Sequence, residues 1–360
     1  MKSLLRKIVS YIVLLFRWYS GSLVVRNIFD YNNVIKSRSD IILNGILPVS
    51  GRHYGYTPSL RYSLRKYSNS KGGLYCVVEH GAFFKNFSPE LEDYQSKYPV
   101  VLVNSEERVD VLKKHMDRCI IPIGPDIYYC NEIFNDYIMK LIKMSLGRTL
   151  LVFPAHSTSD TAIQVDRDRF IRYVEKIKKE HNYDTVLVCL YHFDIERGED
   201  YYYLNKGWRV VSAGLPYNYD FKNILKTIIL LSDYVINQEF STNVGWSIFL
   251  GKPVTIYTQD QFKVISNDGK EIERNQSYGS VYDDDLNTIL KDYNEEITKR
   301  QYDYFAYHYG FDKIRTPDEI RLILKFSKEA YRKRLNKKKM LKLSSKRRYK
   351  DIKDIIMRGF

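Results

Sequence analysis

Three histidines stand where apolar runs end. His80 follows Gly73–Glu79 (GLYCVVE), His156 comes just after Thr149–Pro154 (TLLVFP), and His192 follows Thr185–Tyr191 (TVLVCLY). In parallel α/β layers, ligands gather outside the carboxyl ends of strands. An imidazole placed there serves as a general base, a phosphate partner or hydrogen-bonded filler. The carboxylate of Glu79 beside His80 would favour the charged imidazole and suit a base working near neutral pH. Adjacent strand residues face opposite sides, however. Glu79 is therefore open between a catalytic role and a solvent-facing one. Gly81 permits close backbone approach, and Lys85 offers a cation for an anion. His156 leads into Ser157, Thr158 and Ser159, a hydroxyl-rich loop expected to precede a helix and able to cradle phosphate.

A second group lies in Leu231–Tyr257 (LSDYVINQEFSTNVGWSIFLGKPVTIY). The pattern predicts a buried strand over Tyr234–Asn237, a polar turn, a helix over Val244–Leu250 stopped by Gly251, and a further strand after Pro253. Ser241 is placed to cap that helix with its hydroxyl. Free amides and the positive end of the helix dipole, beside Ser241, Thr242 and Asn243, would suit a phosphate. Glu239 is placed to accept from a ribose or sugar hydroxyl.

The elements that must position these residues alternate. Strands are expected over Gly73–Glu79, Tyr98–Asn104 and Cys119–Ile123, with helices over Ser105–His115 and Tyr128–Met144. After Gly147 a second series begins: strand Thr149–Pro154, helix Asp168–Glu180, strand Thr185–Tyr191, helix Gly198–Asn205, strand Trp208–Ser212 and helix Phe221–Leu231. Such alternation predicts an α/β protein with two facing, Rossmann-like, doubly wound domains, the second a sheet of about five strands. The expected divisions are residues 1–22, a membrane-surface helix; 23–146 and 147–300, the two Rossmann-like domains; and 301–360, C-terminal helices with a basic tail.

Charge separates the ends from the body. The chain of 360 residues carries +14; residues 1–26 hold five Lys/Arg and residues 331–350 hold eleven, neither with an acid, which leaves −2 between them. A nucleic-acid enzyme would more often carry its basic charge in the working cleft. Basic ends suit an anionic membrane surface. The apolar run Ile8–Phe16 is too short to span a bilayer, and Arg17-Trp18-Tyr19 stands where a signal peptide would be cleaved. An interfacial helix is expected there, on the inner face of the plasma membrane. Four cysteines without a CxxC pair point to a reduced, cytoplasmic protein without a zinc site. Walker, dinucleotide-binding and nucleophile-elbow glycine motifs are missing, which argues against a P-loop kinase, a dehydrogenase and the common hydrolase. No convincing metal-binding loop appears, so neither metal nor cofactor is expected.

Ser232-Asp233, Ser241-Thr242, Gly251-Lys252-Pro253 and Tyr257 resemble the late donor-site segment of bacterial GT-B-type transferases. They are most similar to CDP-glycerol glycerophosphotransferases and related capsule or lipopolysaccharide glycosyltransferases. Glu79-His80-Gly81 is similar to the His-Gly loop of their N-terminal domains. The resemblance implies a metal-independent, inverting glycosyltransferase acting on a nucleotide-sugar donor and a saccharide or lipid-linked acceptor, with residues 23–146 as the acceptor-side domain and 147–300 as the nucleotide-donor domain. His80 then becomes the catalytic base, and Ser241 and Thr242 contact the donor phosphates. The family's His-Pro pair is replaced here by His192-Phe193, with Pro154-Ala155-His156 in reverse order. The second histidine role is thus open between His156 and His192. Transfer of a polyol phosphate from a CDP-polyol on the same fold is the alternative. A non-enzymatic membrane- or RNA-binding protein is the alternative from another class.

Overall fold

The computed structural model describes residues 27–36, 58–71, 74–79, 98–157, 161–215, 220–257, 263–266, 268–272 and 284–344. His80, Lys85, the apolar N-terminal run and the last basic residues lie outside them. In the first half, α1 (Tyr31–Lys36) and α2 (Pro58–Tyr67) precede β1 (Cys76–Val78), β2 (Val100–Val103), α3 (Glu106–Lys113), β3 (Cys119–Pro122) and α4 (Asp136–Leu146). The second half runs β4 (Thr149–Phe153), β5 (Thr161–Gln164), α5 (Arg167–Glu180), β6 (Thr185–Cys189), α6 (His192–Glu196), α7 (Asp200–Leu204), β7 (Arg209–Val211), α8 (Phe221–Leu231), β8 (Tyr234–Asn237), α9 (Thr242–Phe249) and β9 (Val254–Ile256). A hairpin of β10 (Lys263–Ser266) and β11 (Glu271–Ile272) follows, then α10 (Asp284–Leu290), α11 (Lys299–Tyr309) and α12 (Pro317–Ser344).

Two parallel sheets organise the molecule. The first has the order β1-β2-β3. The second has the order β7-β6-β4-β8-β9, all parallel. Numbered within its own half this is 3-2-1-4-5, the Rossmann order, with the reversal between β4 and β8. Both sheets are covered on both faces, which is why their strands read as unbroken apolar runs such as Thr149–Phe153. In the second sheet, Leu151, Leu187 and Val235 face α8 to α11, while Leu150, Val152 and Val188 face Phe170, Val174 and Ile177 of α5. The α/β, doubly wound reading holds for this half down to the number of strands.

The C-terminal helix returns to the first sheet. Ile320 and Leu324 of α12 join Leu64, Cys76, Val78, Val100 and Leu102 in one core, opposite Val109 and Leu112 of α3. Farther along, Tyr331 packs on Tyr75 and Tyr98 at 5.2 and 5.5 Å. The basic run therefore begins on a helix seated against the first sheet. Contacts also join the halves directly. His308 of α11 meets Glu107 of α3 at 2.6 Å, and buried Lys222 of α8 pairs with Asp126. No described helix is long and apolar enough to cross a membrane.

Local signals succeeded where they were local. Ser105 caps α3 by accepting from the Arg108 amide, and Gly251 ends the α9 turn at φ +75°. The expected helix over Tyr128–Met144 is instead a 3-10 turn (Asp126–Tyr129), an extended link, and then α4, capped by Asn135. Side chains from α8 decide this. The amides of Asn131 and Ile133 donate to Asn223 Oδ1 and Thr227 Oγ1, partners that no local pattern reveals. The expected helix over Gly198–Asn205 is shorter and is preceded by α6, with Gly198 at φ +77° between the two. The hydroxyl-rich loop after His156 leads to β5, not to a helix, because β5 pairs with the distant β10.

Candidate functional site

The strand order reverses between β4 and β8, and open α/β sheets take ligands at the carboxyl edge of such a reversal. The loop after β4 carries His156 and Ser157, that after β6 leads to His192 and Asp194, and that after β8 carries Glu239 and Ser241 before α9. The β4–β8 seam is closed by Gln238. Its amide donates to the Phe153 carbonyl at 2.9 Å, and its Oε1 accepts from the Ala155 amide at 3.1 Å.

On one side of this seam lies an aromatic and acidic cluster. Tyr191 sits between the two imidazoles, its ring 4.7 Å from His156 and 4.5 Å from His192. His156 Nδ1 lies 3.3 Å from the Ser157 carbonyl. His192 is buried, with Nδ1 3.5 Å from Glu196 Oε1 and outside hydrogen-bond geometry. Burial lowers the pKa of both imidazoles; the Ser157 carbonyl opposes it at His156 and Glu196 opposes it at His192. Both rings are therefore neutral donors or acceptors near pH 7.

Asp194 is the residue that sequence reasoning passed over. It lies in the first turn of α6, is buried, and accepts from the Ser157 amide at 3.3 Å. Burial pushes its carboxyl up to about 7; the Ser157 bond, Arg197 and Arg167 only partly offset this, and Glu199 adds to it. A perturbed carboxyl at a ligand edge is a functional candidate. Its one sequence signal was the proximity of His192. Ser157 is buried as well, and its hydroxyl accepts from the Ile163 amide at 3.2 Å.

Across the seam, the turn into α9 is braced by Asn237. Its Nδ2 donates to Ser241 Oγ at 3.0 Å and to Asn243 Oδ1 at 2.9 Å, and the Ser241 hydroxyl donates to Asn243 Oδ1. Ser241 occupies the N-cap position but makes no capping bond, because its hydroxyl is taken by these side chains. The α9 start is also closed on one side. The Tyr309 hydroxyl donates to the Thr242 carbonyl at 3.1 Å, and a Cβ on Gly245 would stand 2.1 Å from the Tyr309 ring. Ser241 and Thr242 remain half-buried, while Asn243 and Glu239 are buried.

Glu79 stands apart, at the end of β1 in the first sheet. It is buried in an ion pair with the fully buried Arg108 of α3, whose Nε lies 3.0 and 3.1 Å from the two carboxylate oxygens. Its neighbour His80 lies outside the described residues. His156, Ser157 and His192 thus come together, Ser241, Thr242 and Asn243 form the facing turn, and Glu79 belongs to the other sheet. Among the described residues no group of three or more His, Cys, Asp or Glu is placed to hold a metal ion.

No protein-family model matches the chain, and a comparison with curated proteins finds no match. Among solved structures, the chain is similar to a UDP-GlcNAc 2-epimerase from Neisseria meningitidis bound to UDP-GlcNAc. That similarity has 13% sequence identity and a TM-score of 0.35, covering 75% of this chain and 72% of the other. A likeness at that level carries no argument about activity; the architecture rests on the strand order and register.

Proposed function

We propose that the chain is a nucleotide-sugar-dependent glycosyltransferase of the GT-B kind. It would seat its donor over the β4–β8 reversal and pass the sugar to a saccharide or lipid-linked acceptor. The observation that carries this reading is the 3-2-1-4-5 order, with buried titratable and hydroxyl groups on the loops beside its reversal. Resemblance of the Ser232–Tyr257 motifs to bacterial donor-site segments supports it.

In this reading the nucleoside diphosphate leaves against preorganised dipoles. Negative charge developing on the leaving oxygen is met by the Thr242 hydroxyl, the amides at the start of α9, and neutral N–H donors from His156 and His192. Asp194 holds the Ser157 amide and so fixes the β4 loop that carries His156. The acceptor hydroxyl gives its proton to a base on the opposite side of the sugar, a role assigned to His80, and the reaction inverts. Neither a metal nor a cofactor is required in this scheme. Basic charge at both ends, part of it on α12, supports work on the anionic inner face of the membrane.

Incubation with a panel of nucleotide-sugars, with and without acceptor, tests this. Release of nucleoside diphosphate coupled to a new glycosidic bond is expected, with turnover lowered at least about 100-fold in Thr242→Val and His80→Ala. Turnover unaffected by both substitutions would remove the assignment. Release of CMP with a phosphodiester product would replace it by polyol-phosphate transfer.

A further inference from the structure

Buried polar atoms without a partner are rare in folded proteins, so each calls for a reason. Two neighbouring ones lie at the end of β8: Asn237 Oδ1 and Gln238 Nε2, on side chains 1% and 2% exposed. Gln238 is the first residue beyond β8, and the two side chains go to different neighbours, Asn237 to the turn before α9 and Gln238 to the loop after β4. Asn237 is already committed through Nδ2 to the α9 turn. Gln238 is different. Its backbone and its Oε1 are both tied to the end of β4, through Phe153 and Ala155. These bonds hold the carboxamide across the β4–β8 seam and leave its amino group without a partner among the described residues.

Resting on the nucleotide reading above, we infer that Gln238 is a ligand-binding side chain. Its Nε2 donates to a phosphoryl oxygen of the nucleoside diphosphate lying over the seam. Three features agree. The donor sits at the strand-order reversal, where phosphates of bound nucleotides collect in such sheets. The Ala155 bond fixes which end of the carboxamide carries the donor, since only an oxygen can accept from that amide. An unpaired donor gains its full value only when an acceptor arrives, which at a residue 2% exposed requires the neighbouring side chains to shift aside, and a charged oxygen supplies the strongest such bond. The same bond would couple phosphate to the β4 loop, because one carboxamide would touch both.

Gln238→Glu separates this from a structural role. Glutamate keeps the oxygen that accepts from Ala155 but replaces the donor by an acceptor of negative charge. Titration of UDP, GDP and CDP into the full chain should show at least one that binds the wild type. Its Kd should rise at least about tenfold in Gln238→Glu. Binding of the matching nucleoside should change much less. Gln238→Met, which removes both bonds, should weaken the diphosphate as well and also lower the melting temperature. If the wild type binds a diphosphate and Gln238→Glu binds it equally well, this inference falls while the nucleotide reading stands. If the wild type binds none of the three, the nucleotide reading fails and takes this inference with it.

Discussion

Asp194 shows how a residue with no motif around it acquires chemistry. Its carboxyl is carried by the turn after β6 into an enclosed place beside Ser157 and the two histidines, and burial does the rest. The direction of its shift fixes the sign of a stability effect. A carboxyl raised to about 7 holds its proton more tightly in the folded state than in the unfolded chain. Its contribution to stability is full below the unfolded pKa near about 4 and is lost as pH rises through about 7, by at most about 4 kcal/mol. Asparagine keeps an oxygen for the Ser157 amide and cannot ionise. Thermal unfolding should therefore find Asp194→Asn more stable than wild type near about pH 8, and close to it near about pH 4. The comparison is between variants at one pH, so His156 and His192 largely cancel. A gap that narrows as pH rises would refute the assignment. Little of this was open to sequence reading, because the enclosure of Asp194 comes from chain segments distant from it in sequence.

At the scale of elements, α9 and its surroundings decide how open the proposed phosphate site is. The helix, its Gly251 stop and the strands on either side were legible, because apolar periodicity and glycine punctuation are local. The missing cap at Ser241 was not. It depends on Asn237, whose side chain reaches the turn only once β8 is paired. The covering of one side by Tyr309 was not legible either, since α11 lies more than fifty residues onward. Gly245 is the tightest point of that contact. Gly245→Ala should cost roughly 1–3 kcal/mol in urea unfolding by overpacking against the Tyr309 ring. Adding Tyr309→Ala should recover part of that cost, and strict additivity of the two would show that they do not meet. In the first sheet the corresponding test is Arg108→Met. It strands the buried Glu79 carboxylate and should cost about 3–5 kcal/mol, relieved in part by Glu79→Gln in the same chain. A loss within about 0.5 kcal/mol would mean that the pair is solvated.

Over the whole molecule, the second sheet and its proposed ligand edge, the return of α12 to the first sheet, and the uneven charge belong together. The alternation of strands and helices foretold parallel α/β layers, and the sum of charges foretold basic ends. Neither foretold that the second basic run would begin on a helix packed against the first sheet through Ile320, Leu324 and Tyr331. That seating would present Arg332, Lys333 and Arg334 from a fixed support. If they meet an anionic bilayer, changing all three to Glu should weaken binding to phosphatidylserine vesicles by roughly two orders of magnitude, at about 1 kcal/mol for each basic residue lost. Raising salt should erase much of the difference. Equal partition of variant and wild type would separate these residues from any membrane role.

The central claim is that a nucleoside diphosphate lies over the β4–β8 reversal. Hydrogen–deuterium exchange of the full chain, with and without saturating nucleoside diphosphate, tests it most directly. Added protection concentrated in residues 154–157 and 238–244 is the predicted result. Protection confined to other segments, or none at concentrations that alter the melting temperature, would contradict it.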